Sequence, residues 1–308
     1  MKEYYYKQCT LCPRNCRTDR TVNAGYCGCR SYIRAARAGL HFYEEPYISG
    51  SRGSGTVFFS GCSMKCVFCQ NIELSRDAKG FDISVNRLSD IFLELQQKGA
   101  ENINLVTGTH FTPSIAEALR MAKDKGLYIP VIWNSSCYEK PETLKLLEGL
   151  VDIWLPDLKT LDKEESRLYY HAEDYPDAAK AALEYMVFAS RLEFKDDMLV
   201  SGVNVRHLVM PGRIRDTFNV LDYLYGRFGD DICISLMNQY TPMGEMPYKE
   251  LERKVSKREY EKAVSHAIDI GITKCMIQEG GTVSESFIPD LNGEGIIDKS
   301  EYRKKASL

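Results

Sequence analysis

The chain contains 308 residues, of which 44% are hydrophobic and 27% are charged, and its net charge at pH 7 is −3. This composition is typical of a globular protein large enough for one α/β barrel with a small appendage, and it gives no electrostatic support for nucleic-acid binding. No apolar run approaches the roughly 18 residues of a membrane span. Eleven cysteines, together with an N-terminus (MKEYYYKQC) that has no apolar signal segment, predict a cytoplasmic protein whose thiols bind metal rather than form disulfides.

The N-terminal segment, residues 1–50, is rich in cysteine. The sequence CTLCPRNC in this segment has the spacing C-x2-C-x3-C, and two more cysteines follow in GYCGC. Because the segment is too short to bury a core of its own, clustered thiolates predict a small knuckle that is held together by a metal. The metal is zinc or a second iron–sulfur cluster, with Cys29 as a spare or substitute ligand; five unligated thiols are the alternative. The predicted ligands are Cys9, Cys12, Cys16 and Cys27.

The connection to the next region contains one segment, residues 33–38, whose periodicity fits a short strand or a helix equally well. Three polar residues follow it: His41, Glu44 and Glu45. The favoured interpretation places them in a solvated loop, and the alternative places them at the mouth of the following barrel.

Residues 56–71 read TVFFSGCSMKCVFCQN. The β-branched and aromatic run at 57–59 predicts a buried strand. Cys62, Cys66 and Cys69 follow with the spacing C-x3-C-x2-C, so that one short loop can wrap three thiolates around a single metal centre. A [4Fe–4S] cluster normally takes four cysteines, and with three ligands one iron keeps an open position for chemistry. A structural zinc site, which prefers four ligands in CxxC pairs, is the poorer match.

From residue 56 onward, segments with strand character alternate with segments of helical periodicity. Such alternation with short links implies parallel strands, and about seven of them with right-handed crossovers predict a partial or complete TIM-like (β/α) barrel. We assign residues 51–290 to this barrel and 291–308 to a C-terminal tail. The predicted strands are 57–59, 103–106, 129–133, 151–155, 203–210, 232–236 and 273–278. The predicted helices are 84–98, 113–126, 141–147, 174–191, 218–228 and 257–270.

Polar residues follow these strands, at the end of the barrel where chemistry is built. They fall in the stretches 107–110, 134–139, 157–159, 238–240 and 278–281. The fifth strand carries Arg206 and His207, which the alternation of a strand places on opposite faces. We expect Arg206 to point inward, since a guanidinium suits contact with a carboxylate or with ribose hydroxyls.

The stretch 56–71 resembles the cluster loop of radical S-adenosylmethionine (radical SAM) enzymes. In that family the open iron of a [4Fe–4S] cluster is chelated by the methionyl amine and carboxylate of SAM. An electron from the cluster then cleaves the sulfonium to methionine and a 5′-deoxyadenosyl radical. The resemblance implies that Cys62, Cys66 and Cys69 hold the cluster, and that the ring of Phe68 lies near the adenine.

A wider likeness extends from Cys9 to about residue 290 and points to one subgroup, similar to pyruvate formate-lyase activating enzyme but with an N-terminal cysteine cluster. The family receives the methionine amine on a Gly-rich segment after the second strand. Gly-Gly-Glu is absent here, so the hydroxyls of Thr107 and Thr109 are expected to replace it, with His110 as a ligand contact or a turn residue. The segments that carry the likeness are CTLCPRNC, GSGTVFFSGC, CVFCQN, INLVT, VDIWLPDLK, VRHLVMPG and SLMNQYTP.

The resemblance also implies a polar subsite for the amino-acid part of SAM. In the activating enzyme an aspartate and the end of the neighbouring strand form a monovalent-cation site beside the SAM carboxylate. Asp157 matches that aspartate, whereas Asn134 stands in place of a second acidic ligand. Lys159 is expected to pair with a carboxylate. The other expected cofactor contacts are Ser135 and Arg206.

The likeness implies a radical SAM iron–sulfur enzyme that cleaves SAM reductively for hydrogen abstraction, with activation of a glycyl radical enzyme as the first hypothesis. One alternative is modification of a small molecule, a peptide or RNA; the other is a non-enzymatic metal-binding protein. The implied partners are an external electron donor of the flavodoxin or ferredoxin type and, for an activase, a glycyl radical enzyme. Neither a membrane nor a nucleic acid is implied as a binding partner.

Overall fold

The computed structural model of the chain describes residues 3–278 and 291–297. Within them the centre of the protein is a ten-stranded sheet with the strand order β10-β9-β8-β6-β5-β4-β2-β1-β3, in which β7 pairs only with β8. The strands are β1 (Ile33–His41), β2 (Ser54–Phe59), β3 (Phe81–Ile83), β4 (Ile103–Val106), β5 (Val131–Ser135), β6 (Ile153–Pro156), β7 (Glu193–Lys195), β8 (Met198–Leu208), β9 (Cys233–Met237) and β10 (Cys275–Ile277).

Helices connect the strands and cover the sheet. They are α1 (Glu3–Lys7), α2 (Pro46–Ser49), α3 (Ile72–Ser75), α4 (Val85–Gln97), α5 (Thr112–Asp124), α6 (Pro141–Leu144), α7 (Lys163–Tyr170), α8 (Tyr175–Ala189), α9 (Ile214–Phe228) and α10 (Lys257–Asp269). Short 3₁₀ turns lie at Thr109–Phe111, Lys145–Leu147, Gly229–Asp231 and Lys249–Glu252. None of the helices in the described part of the chain has the length and apolar character that crossing a membrane requires.

The predicted parallel sheet is confirmed. Strands β2, β4, β5, β6, β8, β9 and β10 pair with one another in parallel, in the order β2-β4-β5-β6-β8-β9-β10, and each corresponds to one of the predicted strands. In the described ranges no pairing joins β10 to the other edge of the sheet, so the fold is a partial rather than a complete barrel. Strands β2, β5, β6 and β9 are buried along their whole length, as expected for parallel strands that are covered on both faces.

Several local predictions were wrong or incomplete. The ambiguous segment 33–38 is the start of β1, which pairs antiparallel with both β2 and β3. The predicted helix 141–147 is a short α6 followed by a 3₁₀ turn. Neither the helix α7 nor the hairpin formed by β7 and β8 was predicted.

The helix boundaries that carry a capping signal were predicted well. Helix α4 begins after Ser84, whose hydroxyl accepts a hydrogen bond from the amide of Arg87 at 3.0 Å, as an N-cap serine does. Its buried face is made by Leu88, Ile91 and Leu95, at the helical spacing that the sequence shows. Of the stretch 278–281, residues 279–281 lie outside the described residues, as do residues 298–308 of the tail.

Candidate active site

A cavity of about 300 Å³ opens at the carboxyl-terminal ends of the parallel strands. This is the end where (β/α) barrels build their sites. The three cysteines Cys62, Cys66 and Cys69 line it, and each is partly exposed. Phe68 also lines it, and its ring makes edge-to-face contacts with Tyr170 and Tyr240, with ring centroids 5.6 Å apart in each pair. The loop therefore presents three thiols and one fixed aromatic ring to the same space.

Backbone contacts hold the cysteine loop in place. The amide of Cys62 donates to the carbonyl of Cys27 at 3.1 Å, and the amide of Val67 donates to the carbonyl of Tyr169 at 2.9 Å. Gly61 has φ +84°, and a Cβ at this position would approach the carbonyl oxygen of Cys27 to 2.6 Å. Only glycine fits so close an approach in this conformation.

Burial raises the pKa of the Cys66 and Cys69 thiols, while the nearby ammonium of Lys159 opposes that shift. The thiolate, which is the metal-binding form, therefore needs a cation to compensate its charge. Within the described ranges no three His, Cys, Asp or Glu side chains form a coordination shell for one metal ion. The three thiols line one cavity, but their sulfur atoms are not arranged as a finished metal site. Three soft thiolates from one loop fit an iron–sulfur cluster with one open iron.

Another part of the cavity wall is a charged network centred on Arg206. Its Nε donates to Asp157 Oδ1 at 2.8 Å, one terminal nitrogen donates to Asn134 Oδ1 at 2.5 Å, and the other donates to Glu44 Oε2 at 3.1 Å. Lys159 Nζ lies 3.0 Å from Asp157 Oδ2. Burial opposes ionisation of Asp157, but the cations of Arg206 and Lys159 hold its pKa below the ordinary value.

This network does not fit a monovalent-cation site. The oxygens of Asp157 and Asn134, which by resemblance would ligate such an ion, both accept hydrogen bonds from Arg206. A guanidinium therefore joins the two strand ends. Arg206 faces the cavity as the alternation of β8 predicts, while His207 points to the other face, where its ring nitrogens contact Leu158 O at 2.8 Å and Thr217 Oγ1 at 3.1 Å.

Glu44 corrects the prediction of a solvated loop. Its side chain is only 11% exposed, it lines the cavity together with His41, and its Oε1 accepts a hydrogen bond from Asn104 Nδ2 at 2.9 Å. Burial raises the pKa of Glu44 to about 7, against the opposing charge of Arg206. Helix α2 packs against β8, which directs the preceding residues into the barrel. No pattern in the sequence of this segment signals that placement.

The two threonines after β4 have different environments. Thr107 lines the cavity and has φ +61°, a left-handed conformation that is unusual for a β-branched residue. Thr109 does not line it: the residue is buried, and its hydroxyl donates to Glu139 Oε1 at 2.8 Å. The expected cofactor contact of Thr109 is therefore not supported. His110 is likewise buried away from the cavity, where its Nε2 donates to the carbonyl of Ser60 at 2.8 Å.

A buried carboxylate, Glu139, organises the end of β5; the sequence analysis placed it in the polar stretch 134–139 but did not predict this role. Besides Thr109, it accepts hydrogen bonds from Trp133 Nε1 at 2.8 Å and from Ser135 Oγ at 2.6 Å. Ser135 lines the cavity, but its hydroxyl is engaged by Glu139 and also accepts from the amide of Cys137 at 3.2 Å. Beyond β9, Gln239 and Tyr240 line the cavity as expected, whereas Asn238 is not part of the lining.

The N-terminal cysteines lie beside this loop. Cys9, Cys12 and Cys27 are buried, and Cys16 is partly exposed. Cys29 is also buried, and its Sγ donates to the carbonyl of Ser60 at 3.2 Å.

A family model described as the radical SAM superfamily matches residues 56–221 of the chain. The chain belongs to this superfamily. The chain is also 29% identical over 273 residues to a protein of Methanocaldococcus jannaschii named "Uncharacterized protein MJ0674". This alignment covers 85% of the chain and 75% of the relative. Among solved structures, Streptococcus suis SuiB bound to the precursor peptide SuiA aligns with a TM-score of 0.52 at 13% identity over 72% of this chain. The chain spans about half of SuiB, matching 47% of its length, and that likeness concerns the fold alone.

Membership of the radical SAM superfamily implies a [4Fe–4S] cluster and SAM, and it supports an enzyme that depends on an external electron donor. The matched residues include the cysteine loop and all strands from β4 to β8. They therefore include most of the cavity wall.

Proposed function

We propose that the chain is a radical SAM enzyme in which Cys62, Cys66 and Cys69 hold the [4Fe–4S] cluster and SAM occupies the adjoining cavity. The observation that carries the proposal is that three thiols of one loop line the same cavity as the Arg206–Asp157 network. When bound, the cluster supplies the electron that cleaves the sulfonium of SAM.

The chain's own residues bind and orient SAM in this proposal. Phe68 offers its ring to the adenine, because its contacts with Tyr170 and Tyr240 fix the ring at the cavity wall. Thr107 and its strained backbone supply polar groups for the methionyl amine. Asn134, which lines the cavity at the end of β5, contributes its side-chain amide to the binding of SAM.

The carboxylate of SAM is assigned to Lys159. Each of the three nitrogens of the Arg206 guanidinium donates one hydrogen bond within the protein, whereas in the described residues Lys159 Nζ donates only to Asp157. Arg206, which uses three of its five N–H groups to hold Asp157, Asn134 and Glu44, is assigned a positioning role, and Lys159, with two of its three N–H groups uncommitted, is assigned the SAM carboxylate.

The direct test is anaerobic reconstitution with iron and sulfide, reduction, and measurement of 5′-deoxyadenosine formed from SAM. We expect wild-type protein to form it and Cys62→Ala, Cys66→Ala and Cys69→Ala to form none. Cys233→Ala is the matched control, since Cys233 is buried in β9 and does not line the cavity. Product from the three variants, or none from reconstituted wild-type protein, would contradict the proposal.

For the substrate we propose hydrogen abstraction from a glycine of a partner protein. The support is the likeness of residues 9–290 to the activating-enzyme subgroup, VDIWLPDLK and VRHLVMPG included. The measurement is an EPR spectrum after incubation with candidate partner proteins, where a glycyl radical doublet is expected. Deuterium transfer into 5′-deoxyadenosine from a labelled small molecule, peptide or RNA, without any such doublet, would favour the second class of substrate.

A second metal site completes the proposal. Cys9, Cys12, Cys16 and Cys27 are its ligands, and they bind either zinc or an auxiliary iron–sulfur cluster.

A further inference from the structure

We infer that the N-terminal site is a dianionic tetrathiolate complex whose counter-ion is the buried side chain of Arg20. The inference rests on the second metal site proposed above and is independent of SAM cleavage, so the two can fail separately. Its ligands are Cys9, Cys12, Cys16 and Cys27.

The first support is the way the chain winds around these thiols. The amide of Cys9 donates to the carbonyl of Thr18 at 3.1 Å, and the amide of Arg17 donates back to the carbonyl of Cys9 at 2.9 Å. Asn15 and Arg17 have φ values of +44° and +53°, which are left-handed conformations of non-glycine residues. Strain of this kind persists where the surrounding structure enforces it, often at ligand sites. The loop is thus folded tightly around its cysteines.

The second support is the contact between two of these cysteines. Cys16 Sγ lies 3.9 Å from the carbonyl oxygen of Cys9, and Cys16 packs against the buried cluster that contains Cys9. Cys29, the substitute ligand, has its Sγ 3.2 Å from the carbonyl oxygen of Ser60.

The third and decisive support is Arg20, whose side chain is fully buried. Its nitrogens donate to the carbonyls of Cys29 at 3.0 Å, His110 at 2.6 Å and Arg30 at 2.7 Å, and one lies 3.6 Å from Cys9 Sγ. In the part of the chain that the structure describes, no carboxylate forms an ion pair with it. Carbonyls satisfy the hydrogen bonds of a guanidinium but do not neutralise its charge.

A buried cation without an anion is strongly destabilising. Four thiolates around Zn²⁺, or around an oxidised [4Fe–4S] cluster, carry a net double negative charge. Such a complex would provide the missing anion beside Arg20. Neutral thiols would provide no such anion. The burial of the Arg20 charge is therefore explained when the four cysteines hold a metal. These sulfurs do not yet form a coordination shell, and the same holds for the loop of Cys62 to Cys69.

The test uses the full-length chain with Cys62, Cys66 and Cys69 replaced by alanine, so that only the N-terminal site binds metal. After loading with zinc alone, or with iron and sulfide anaerobically, we expect one zinc or about four irons per chain, and the two loadings show which metal is retained. Cys12→Ser should lose the metal, and Cys233→Ser should retain it. Retention by Cys12→Ser would overturn the inference. Should the triple variant fail to fold, the same loss is measured for Cys12→Ser alone against wild-type protein.

Arg20→Gln tests the counter-ion. Removing the charge should weaken metal binding about 10- to 100-fold, as the loss of an outer-shell partner does, and Arg20→Lys should restore part of it. In the metal-free protein the same Gln variant should lose less stability than in the metal-loaded protein, because an uncompensated charge has been removed. A purely structural arginine predicts equal losses in both states. Equal losses, or unchanged metal affinity, would overturn the assignment of Arg20.

Discussion

Arg206 and Asp157 form an ion pair inside the barrel, with Nε 2.8 Å from Oδ1 and with side chains that are 13% and 24% exposed. Arg206 extends the contact to Glu44 on the segment before α2 and to Asn134 at the end of β5. One guanidinium therefore ties together three parts of the chain that are far apart in sequence. Its removal would leave two carboxylates facing one another without their shared cation.

We expect Arg206→Ala to lower the free energy of unfolding by about 3–5 kcal/mol, the usual cost of breaking a buried ion pair from one side. Arg206→Lys keeps the charge and should lose less. Urea denaturation measures both. Arg167→Ala is the matched control, because Arg167 pairs with Glu164 on the surface, where such a pair contributes about 1 kcal/mol or less. Equal losses for the Arg206 and Arg167 alanine variants would contradict the network.

Thr107 stores backbone strain at the cavity wall. A left-handed conformation costs a non-glycine residue roughly 1–3 kcal/mol, so Thr107→Gly should raise the free energy of unfolding by about 1 kcal/mol after the added entropy of glycine is subtracted. The same substitution at Thr112, which has φ −44° at the start of α5, should lower it by a similar amount. Thermal or urea unfolding compares the two variants. A loss of stability at both positions would show that the conformation of Thr107 is not strained.

The sequence predicted the parallel sheet because each strand is a short apolar run that ends at a polar or glycine residue, and because helices such as α4 carry their own caps. It failed at β1, where the alanine-rich run 33–38 has little preference for a strand. Pairing with β2 and β3 decides its structure, and tertiary pairing of this kind is not encoded locally.

The candidate site was predictable where spacing or strand alternation fixes the direction of a side chain. The cysteine loop and Arg206 are of this kind. Thr109 was not, because it lies in a 3₁₀ turn and its direction depends on the buried carboxylate of Glu139, thirty residues later. Glu44 enters the site through the packing of α2 on β8, a contact between segments too far apart in sequence for periodicity to reveal.

His110 should make the stability of the protein depend on pH. Burial, with a contribution from the charge of Arg20, lowers the pKa of His110 to about 3 from an ordinary 6.5. The unfolded chain therefore binds a proton more readily than the folded one. The stabilisation is fully present above pH 6.5 and is lost as the pH falls towards 3.

For this histidine alone we expect the free energy of unfolding to fall by about 2 kcal/mol between pH 7.5 and pH 5. His110→Gln keeps a donor for the carbonyl of Ser60 but does not titrate. The variant should therefore lack this fall of about 2 kcal/mol. Urea unfolding of both proteins at pH 7.5 and at pH 5 measures the difference. Parallel pH profiles for the two proteins would contradict a neutral, buried His110.

Arg14 fastens the N-terminal segment to the cysteine loop of the barrel. Its Nε donates to the carbonyl of Ser63 at 2.8 Å, and its terminal nitrogens donate to the carbonyls of His171 and Tyr170. The guanidinium also lies over the ring of Tyr26, 4.4 Å from its centroid. A side chain that bonds both the loop, at Ser63, and the end of α7, at Tyr170 and His171, limits the movement of the loop's cysteines.

We expect Arg14→Ala to speed the loss of SAM-cleavage activity during exposure to an iron chelator by about tenfold, as removal of outer-shell support does. Activity is the readout because it reports the cluster of Cys62, Cys66 and Cys69 and not metal elsewhere. Arg30→Ala is the control, since Arg30 is an exposed arginine of the same segment that leaves Ser63 untouched. If both variants lost activity at the wild-type rate, the loop would owe its position to the Cys27–Cys62 backbone bond rather than to Arg14.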